Sequence, residues 1–462
     1  MSCLSAQGAR SPPPDRLAMG DAGAGATAGD DVSRIGETAL RYESSAHPDP
    51  TGRSQGGRPA SRRRLLGVSG AALLTAACGT TTGKQPGGRR SAQPDPEGSG
   101  APTRPAPDGA LGVNFNEDPS DMDLAQVRAL SAQWVRGFVP MTDDLDSHAA
   151  DRQRAVARLL DAGGNGFRTI LSLKFPFLTA GRPLPEAGSR EMEAQLARVD
   201  RVLHAVLGRT DILTIGNEPF LETMKDECDA RLNVFYEQVA EHVIAYRGKH
   251  FPHGCRTRLY MGALNHLDRA EGRTQATERW VGFVNRKPEI EGLDIHPHVD
   301  SLEAAGTYVQ YVVDRLGKGK KFLATEFSLV RYWQDHMGDR IPAAYAAKYQ
   351  VPPGTRVWQV IGNALERPFP QRRWDDFLAM SPWFAAHADY LTQQVRMFRE
   401  TGKLAVATYG VVQIESMRKG WGPRKEPWIL NPLYANRTVR QEEGRTGRTT
   451  VWFDSFRALQ NS

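Results

Sequence analysis

Leu213-Thr214-Ile215-Gly216-Asn217-Glu218-Pro219 is a short apolar run closed by a glycine, an amide, a carboxylate and a proline. Such a run reads as a strand buried on both faces, as in a parallel sheet. Pro219 has no N–H for a ladder and is expected to push Glu218 towards an extended conformation, so the strand ends there. The polar residues then emerge at the carboxyl end of a core strand, where barrel enzymes keep their chemistry. Further along, Lys321-Phe322-Leu323-Ala324-Thr325-Glu326-Phe327 is a second apolar run ending in Glu. The interval has room for about three βα units of ordinary barrel length.

Outward from these two runs, the chain alternates strand and helix signals. Leu111–Phe115, Trp134–Val139, Thr169–Phe175, Ile212–Gly216, Arg258–Ala263, Leu293–His296, Phe322–Thr325 and Leu404–Val412 read as eight strands. Amphipathic helices are clearest at Arg152–Leu160, Met192–Leu207, Val234–Tyr246 and Thr307–Leu316. Strands alternating with helices imply a parallel sheet, and eight units imply closure. The expected fold is α/β, a single (β/α)8 TIM barrel over residues 110–462, with long insertions after strands seven (from Arg331 to Pro382) and eight (from Ser416 to Arg448). A doubly wound open sheet is the alternative, but the Gly-rich turn that usually binds its ligand is absent.

Asn217-Glu218-Pro219 after one strand and Glu326 after a later one resemble strands four and seven of the large clan of retaining glycoside hydrolases built on (β/α)8 barrels, among them cellulases, mannanases and xylosidases. The resemblance implies Glu218 as acid/base, Glu326 as nucleophile, Asn217 on the sugar 2-hydroxyl and Arg136, the candidate on strand two for an Arg that ends that strand in the clan, steadying the nucleophile. Glycosidic cleavage needs one carboxyl to protonate the leaving oxygen and another to meet the cationic sugar carbon, about 5 Å apart in the retaining case. An ionised Glu326 is expected to raise the pKa of Glu218 and keep it protonated. His298 stands where many clan members carry Tyr, and His296 and His298 at one strand end are both candidates for sugar contact. Asn265, His266 and Lys174 are weaker candidates of the same kind. Many members carry a Trp just after strand eight; Tyr409–Gln413 has none, so Trp421 would have to reach back. Seven of the nine Trp residues follow Glu326, Trp333 among them. Indole stacks on sugar C–H faces and its N–H satisfies a hydroxyl, so part of this set is expected to line a glycan cleft.

The expected activity is thus an O-glycosyl hydrolase, with β specificity implied by the resemblance and an oligo- or polysaccharide as substrate. A glycan-binding barrel without catalysis and an envelope transglycosylase using the same residues are the alternatives. Scattered Lys and Arg with a net charge of +6 over 462 residues give no nucleic-acid surface. The four cysteines, Cys3, Cys78, Cys228 and Cys255, show no metal-ligand spacing, and neither a cofactor nor a metal is expected. Residues 1–60 have a composition that cannot bury a core and are expected to be disordered. Within residues 61–78, Arg62-Arg63-Arg64 precedes a small apolar run too short to span a bilayer. This segment resembles a twin-arginine export signal. Thr75-Ala76-Ala77-Cys78 resembles a lipoprotein cleavage site, which implies lipidation of Cys78, and residues 79–109 form a flexible linker. A monomer is expected, exported to the outer face of the cytoplasmic membrane or secreted, touching the membrane only through a lipid anchor at Cys78.

Overall fold

The eight apolar runs become β1 (Ala110–Asn114), β2 (Trp134–Pro140), β3 (Arg168–Lys174), β4 (Ile212–Ile215), β5 (Arg258–Leu264), β6 (Ile290–Ile295), β7 (Lys321–Ala324) and β8 (Leu404–Gly410). The structure is a computed structural model and describes residues 105–115, 122–442 and 444–461. All neighbouring strands pair in parallel, and β1 returns to β8 in register from Ala110↔Val406 to Asn114↔Gly410, which closes the barrel. Closure leaves no unpaired strand edge. The open-sheet alternative is excluded by that β1–β8 ladder.

Crossover helices α1 (Leu124–Ala129), α2 (Arg154–Gly164), α3 (Arg190–Val206), α4 (Ala230–His250), α5 (Gln275–Arg286), α6 (Leu302–Arg315) and α7 (Tyr390–Glu400) link successive strands, and α8 (Thr450–Leu459) follows the last. Several start on side-chain caps: Ser189 accepts from Met192 N at 3.1 Å, Thr274 from Thr277 N at 3.2 Å and Ser301 from Ala304 N at 3.1 Å. Each cap satisfies a first-turn N–H that has no partner inside its helix. The segment after β7 forms further helices of its own at Val330–Asp335, Ala343–Tyr349, Val357–Glu366 and Gln371–Met380. The segment after β8 is mostly irregular and is held by Gln413, whose Nε2 donates to Ile429 O at 2.7 Å and whose Oε1 accepts from Arg437 N and Thr438 N.

Two tiers fill the barrel lumen. Trp134, Ile170, Ile212, Tyr260, Leu323 and Val406 form an apolar floor near the strands' amino ends. One strand period higher the buried residues turn polar: Arg136, Ser172, Thr214 and Thr408, with Asp294 and Thr325 beside them, are all fully buried. Alternate strand residues face the same way, so the polar tier stands directly beneath the mouth. The last residues of the expected linker already belong to the barrel. Asp108 pairs with Lys321, Gly109 N donates to Leu404 O at 3.0 Å, and Arg399 holds the Gly109 carbonyl at 2.9 Å. The expected disordered, signal and remaining linker segments, with Cys78, lie outside the described residues.

Candidate active site

Backbone geometry explains the glycine that precedes the amide and carboxylate. Gly216 has φ +103°, and a Cβ there would stand 2.4 Å from the Gly262 carbonyl on β5. Only glycine permits that approach with a positive φ. The chain turns sharply off β4, and Glu218, expected to be extended before Pro219, instead adopts φ +49°, a left-handed conformation that costs a non-glycine residue on the order of 1 kcal/mol. The turn delivers Asn217 and Glu218 into the mouth. Glu326 arrives two residues beyond β7.

The mouth brings together Glu218, His296, His298 and Glu326, with one ligand-type atom of each lying within 4.8 Å of the others. Glu218 Oε1 accepts from Asn265 Nδ2 at 2.8 Å and faces His296 Nδ1 at 2.9 Å. Glu326 Oε1 takes Arg136 Nη1 at 2.5 Å, while His298 Nε2 stands 3.9 Å from Oε2. Arg136 also donates to Asn114 Oδ1 at 3.1 Å, to Ser172 Oγ at 3.3 Å and to Asn217 Oδ1. A guanidinium buried this completely has to have its donors met, and here they run along both strands beside β2 and across to both catalytic candidates' loops. His298 Nδ1 pairs with Ser328 Oγ at 2.9 Å.

The surrounding charges move the two carboxylates in the same direction. Burial pushes the Glu326 carboxyl up, but the charges of His296 and Arg136 outweigh it and hold Glu326 below the usual carboxylate range. Burial likewise pushes Glu218 up, and the hydrogen bond and charge of His296 pull it well below that range. His296 moves the opposite way: burial lowers it, but Glu326, Glu218 and Asp294 raise it above its ordinary value. The expectation that Glu326 keeps Glu218 protonated is therefore corrected. His296 touches Glu218 directly, and the pair holds one proton, with the imidazole favoured in the free protein. Burial lowers His298 to about 4, so it is neutral at pH 7.

An open pocket lies beside Glu326, walled by Asn114, Phe115, Val412, Ile414, Met417 and Trp428. Trp428 meets His298 edge-on at 4.7 Å between ring centres and anchors its Nε1 on Glu426 at 2.9 Å. Trp333, a candidate for sugar contact, does not reach the mouth; it is fully buried, 6.3 Å from the Trp452 ring in the core beneath the insertion. Trp421 does not reach back either: it rests on Gly362 and donates to the Trp358 carbonyl at 2.9 Å. The two long insertions fold against each other, joined also by Phe369 N donating to Thr438 O and Arg440 N to Phe369 O, and most of their indoles go with them. His266 lies at the rim, bonded to Arg331, which also pairs with Asp268 at 3.2 Å. Lys174 forms a largely buried pair with Glu222 at 2.7 Å and sits over the Phe138 ring. Sequence reasoning missed Glu222 and Asn114; their signals are a carboxylate one turn past Glu218 and an amide ending β1.

Glu218, His296, His298 and Glu326 are also the group, among the described residues, that offers metal-type donors. The arrangement does not fit an ion as it stands. Two ligands at ordinary bond lengths of about 2.1 Å cannot lie more than about 4.2 Å apart, Arg136 occupies Glu326, and both nitrogens of His296 already face oxygen partners at 2.9 Å.

Eight parallel strands closed around a polar tier define a (β/α)8 barrel, with two carboxylates brought together at the carboxyl end of its strands. No protein-family model matches the chain, and no curated protein matches it. Among solved structures it is similar to native xylanase 10B from Thermotoga maritima, at 9% identity over 76% of this chain and 94% of that one, TM-score 0.39. It is also similar to the GH53 catalytic domain of Ignisphaera aggregans, at 14% identity over 78% and 98%, TM-score 0.44. A family 39 glycoside hydrolase from Bacteroides cellulosilyticus aligns at 10% identity over 77% of this chain and 64%, just under two thirds, of that one, TM-score 0.44.

Proposed function

We propose that this protein is a retaining glycoside hydrolase acting on β-linked oligo- or polysaccharide. The observation that carries the reading is that one carboxylate oxygen of Glu218 and one of Glu326 come within 4.8 Å of each other across the mouth. Retaining enzymes hold their carboxyls about 5 Å apart, whereas inverting enzymes leave at least about 6.5 Å for a water. Glu326, kept ionised by Arg136 and His296, attacks the anomeric carbon. The glycosidic C–O bond breaks with its electron pair going to the leaving oxygen, which takes the proton held between His296 and Glu218. A covalent sugar ester on Glu326 results. Water then gives a proton to Glu218 and attacks the same carbon, releasing Glu326 as carboxylate. Asn217, fixed by Arg136, faces the sugar 2-hydroxyl, and the apolar pocket wall with Trp428 receives a ring face.

Removal of each glutamate tests the assignment. Glu326→Ala abolishes turnover of every glycoside. Glu218→Ala still accepts a 2,4-dinitrophenyl glycoside, whose leaving group needs little protonation, and then stalls for want of a base. Mass spectrometry of that variant is expected to show a sugar adduct on the Glu326 peptide. An adduct on another carboxylate overturns the assignment; glycan affinity with no adduct and no wild-type turnover favours a glycan-binding barrel. Export as a lipoprotein belongs to the same proposal, on the twin arginines and Cys78. The mature protein is expected to begin at a lipidated Cys78, and an N-terminal sequence that still contains Arg62-Arg63 overturns this.

A further inference from the structure

Behind His296 the hydrogen bonds continue into the protein. His296 Nε2 lies 2.9 Å from Thr325 Oγ1, and the Thr325 hydroxyl donates to Asp294 Oδ2 at 2.5 Å. Asp294 is fully buried on β6, two residues before His296, and Thr325 is fully buried immediately before Glu326. The other oxygen of Asp294 is committed elsewhere: Oδ1 accepts from the backbone N–H of Ile295 at 2.9 Å and of Thr325 at 3.1 Å. These donors are fixed by the backbone, so Oδ2 alone faces the hydroxyl.

The direction of the chain follows from donor counting. Burial raises the Asp294 carboxyl above its ordinary value, against the downward pull of the His296 and Arg136 charges and the Thr325 hydrogen bonds. As a carboxylate, the form assigned to it here, Asp294 only accepts. The single hydroxyl proton of Thr325 must then point to Asp294, and its oxygen can only accept from His296. Hence we propose, resting on the glycosidase reading for its catalytic meaning, that Asp294 acts through Thr325 as a positioning residue: it keeps His296 Nε2 protonated and leaves Nδ1 as the nitrogen that shares one proton with Glu218. The acid of the first step is then a His296–Glu218 pair of set polarity. Other charged groups around the imidazole are Glu326, 3.9 Å from Nε2, His298, and Arg136 and Lys174 beyond them. None of them bonds to either nitrogen of His296.

Asp294→Asn tests this sharply because its orientation is forced. The amide oxygen has to take the Oδ1 position to accept the two backbone N–H groups, which presents the NH2 to Thr325. The hydroxyl then donates to His296 Nε2, the imidazole carries its proton on Nδ1, and Glu218 has only a donor facing it. In full-length chain labelled with 15N-histidine and observed near pH 7, with His296 assigned through His296→Gln, Nε2 is expected to be protonated in the wild type and unprotonated in Asp294→Asn. On glycosides with poor leaving groups kcat/KM should fall by about 100-fold or more, the scale of general acid catalysis, with less than about tenfold loss on dinitrophenyl glycosides. Thr325→Val should show the same leaving-group dependence and Thr325→Ser should restore it, which covers the case of an Asp294→Asn chain that fails to fold. An unprotonated Nε2 in the wild type, an unchanged Nε2 in Asp294→Asn, or, in the valine variant, losses equal across leaving groups would overturn the proposal. If the wild type turns over no glycoside, the glycosidase reading falls, and the nitrogen measurement still decides the polarity of the chain.

Discussion

Arg136 places a full charge inside the barrel, and its neighbours show how such a charge is tolerated. Asn114, Ser172, Asn217 and Glu326 receive its N–H groups. Breaking a buried ion pair by removing one partner costs about 3–5 kcal/mol, because the other charge is left uncompensated. The guanidinium therefore fixes Glu326 in one place and keeps it anionic. A pH profile follows from these groups. Glu326 sits below its ordinary value, so the acid limb of kcat/KM belongs below pH 4.5; protonation of His298 near 4 falls in the same range. His296 sits above its ordinary value, and the proton it shares with Glu218 is lost only as pH rises through that raised value, so the alkaline limb belongs above pH 6.5. Glu218, Glu326 and Asp294 set that upper limb. A profile on a glycoside with a poor leaving group measures both limbs, and an alkaline fall centred at or below 6.5 would contradict the His296–Glu218 pairing.

At the scale of elements, the segment after β8 does the most for the pocket. Met417 and Trp428 come from it, and its fold is pinned to the barrel by Gln413 and by Tyr409 Oη donating to Asn431 Oδ1 at 2.8 Å. Trp428→Ala removes the largest ring of the pocket wall and the edge contact on His298. An aromatic contact of this kind contributes about 0.5–1.5 kcal/mol, so KM is expected to rise about two- to tenfold with kcat on an activated glycoside nearly unchanged. Steady-state kinetics measure it, and an unchanged KM would place the sugar elsewhere. The contrast among tryptophans marks where sequence reading ends. The strand runs that end in Glu218 and Glu326 were legible because period, proline and carboxylate all act locally. Whether Trp333, Trp421 or Trp428 faces the mouth depends on how the two insertions pack against each other, and nothing local in the sequence encodes that.

For the whole molecule, the eight-strand order was readable because each strand carries its own burial pattern, while the chain from Asp294 to His296 was not. Asp294 precedes His296 by two residues on one strand, yet their link passes through Thr325 on the next, and a cross-strand hydroxyl leaves no periodic signal. The same holds for the proton on Glu218: sequence reasoning weighed the carboxylate known to be nearby and could not see the imidazole that is closer. The entry of the chain has a different kind of consequence. Asp108 and Gly109 fasten to Lys321 and Leu404, at the amino ends of β7 and β8, whereas Glu218 and Glu326 open at the opposite pole. Anything carried by the preceding sequence is therefore attached to the back of the barrel. A tether of the kind proposed would join the domain at the pole opposite Glu218 and Glu326, and its root would leave the approach to the mouth uncrowded.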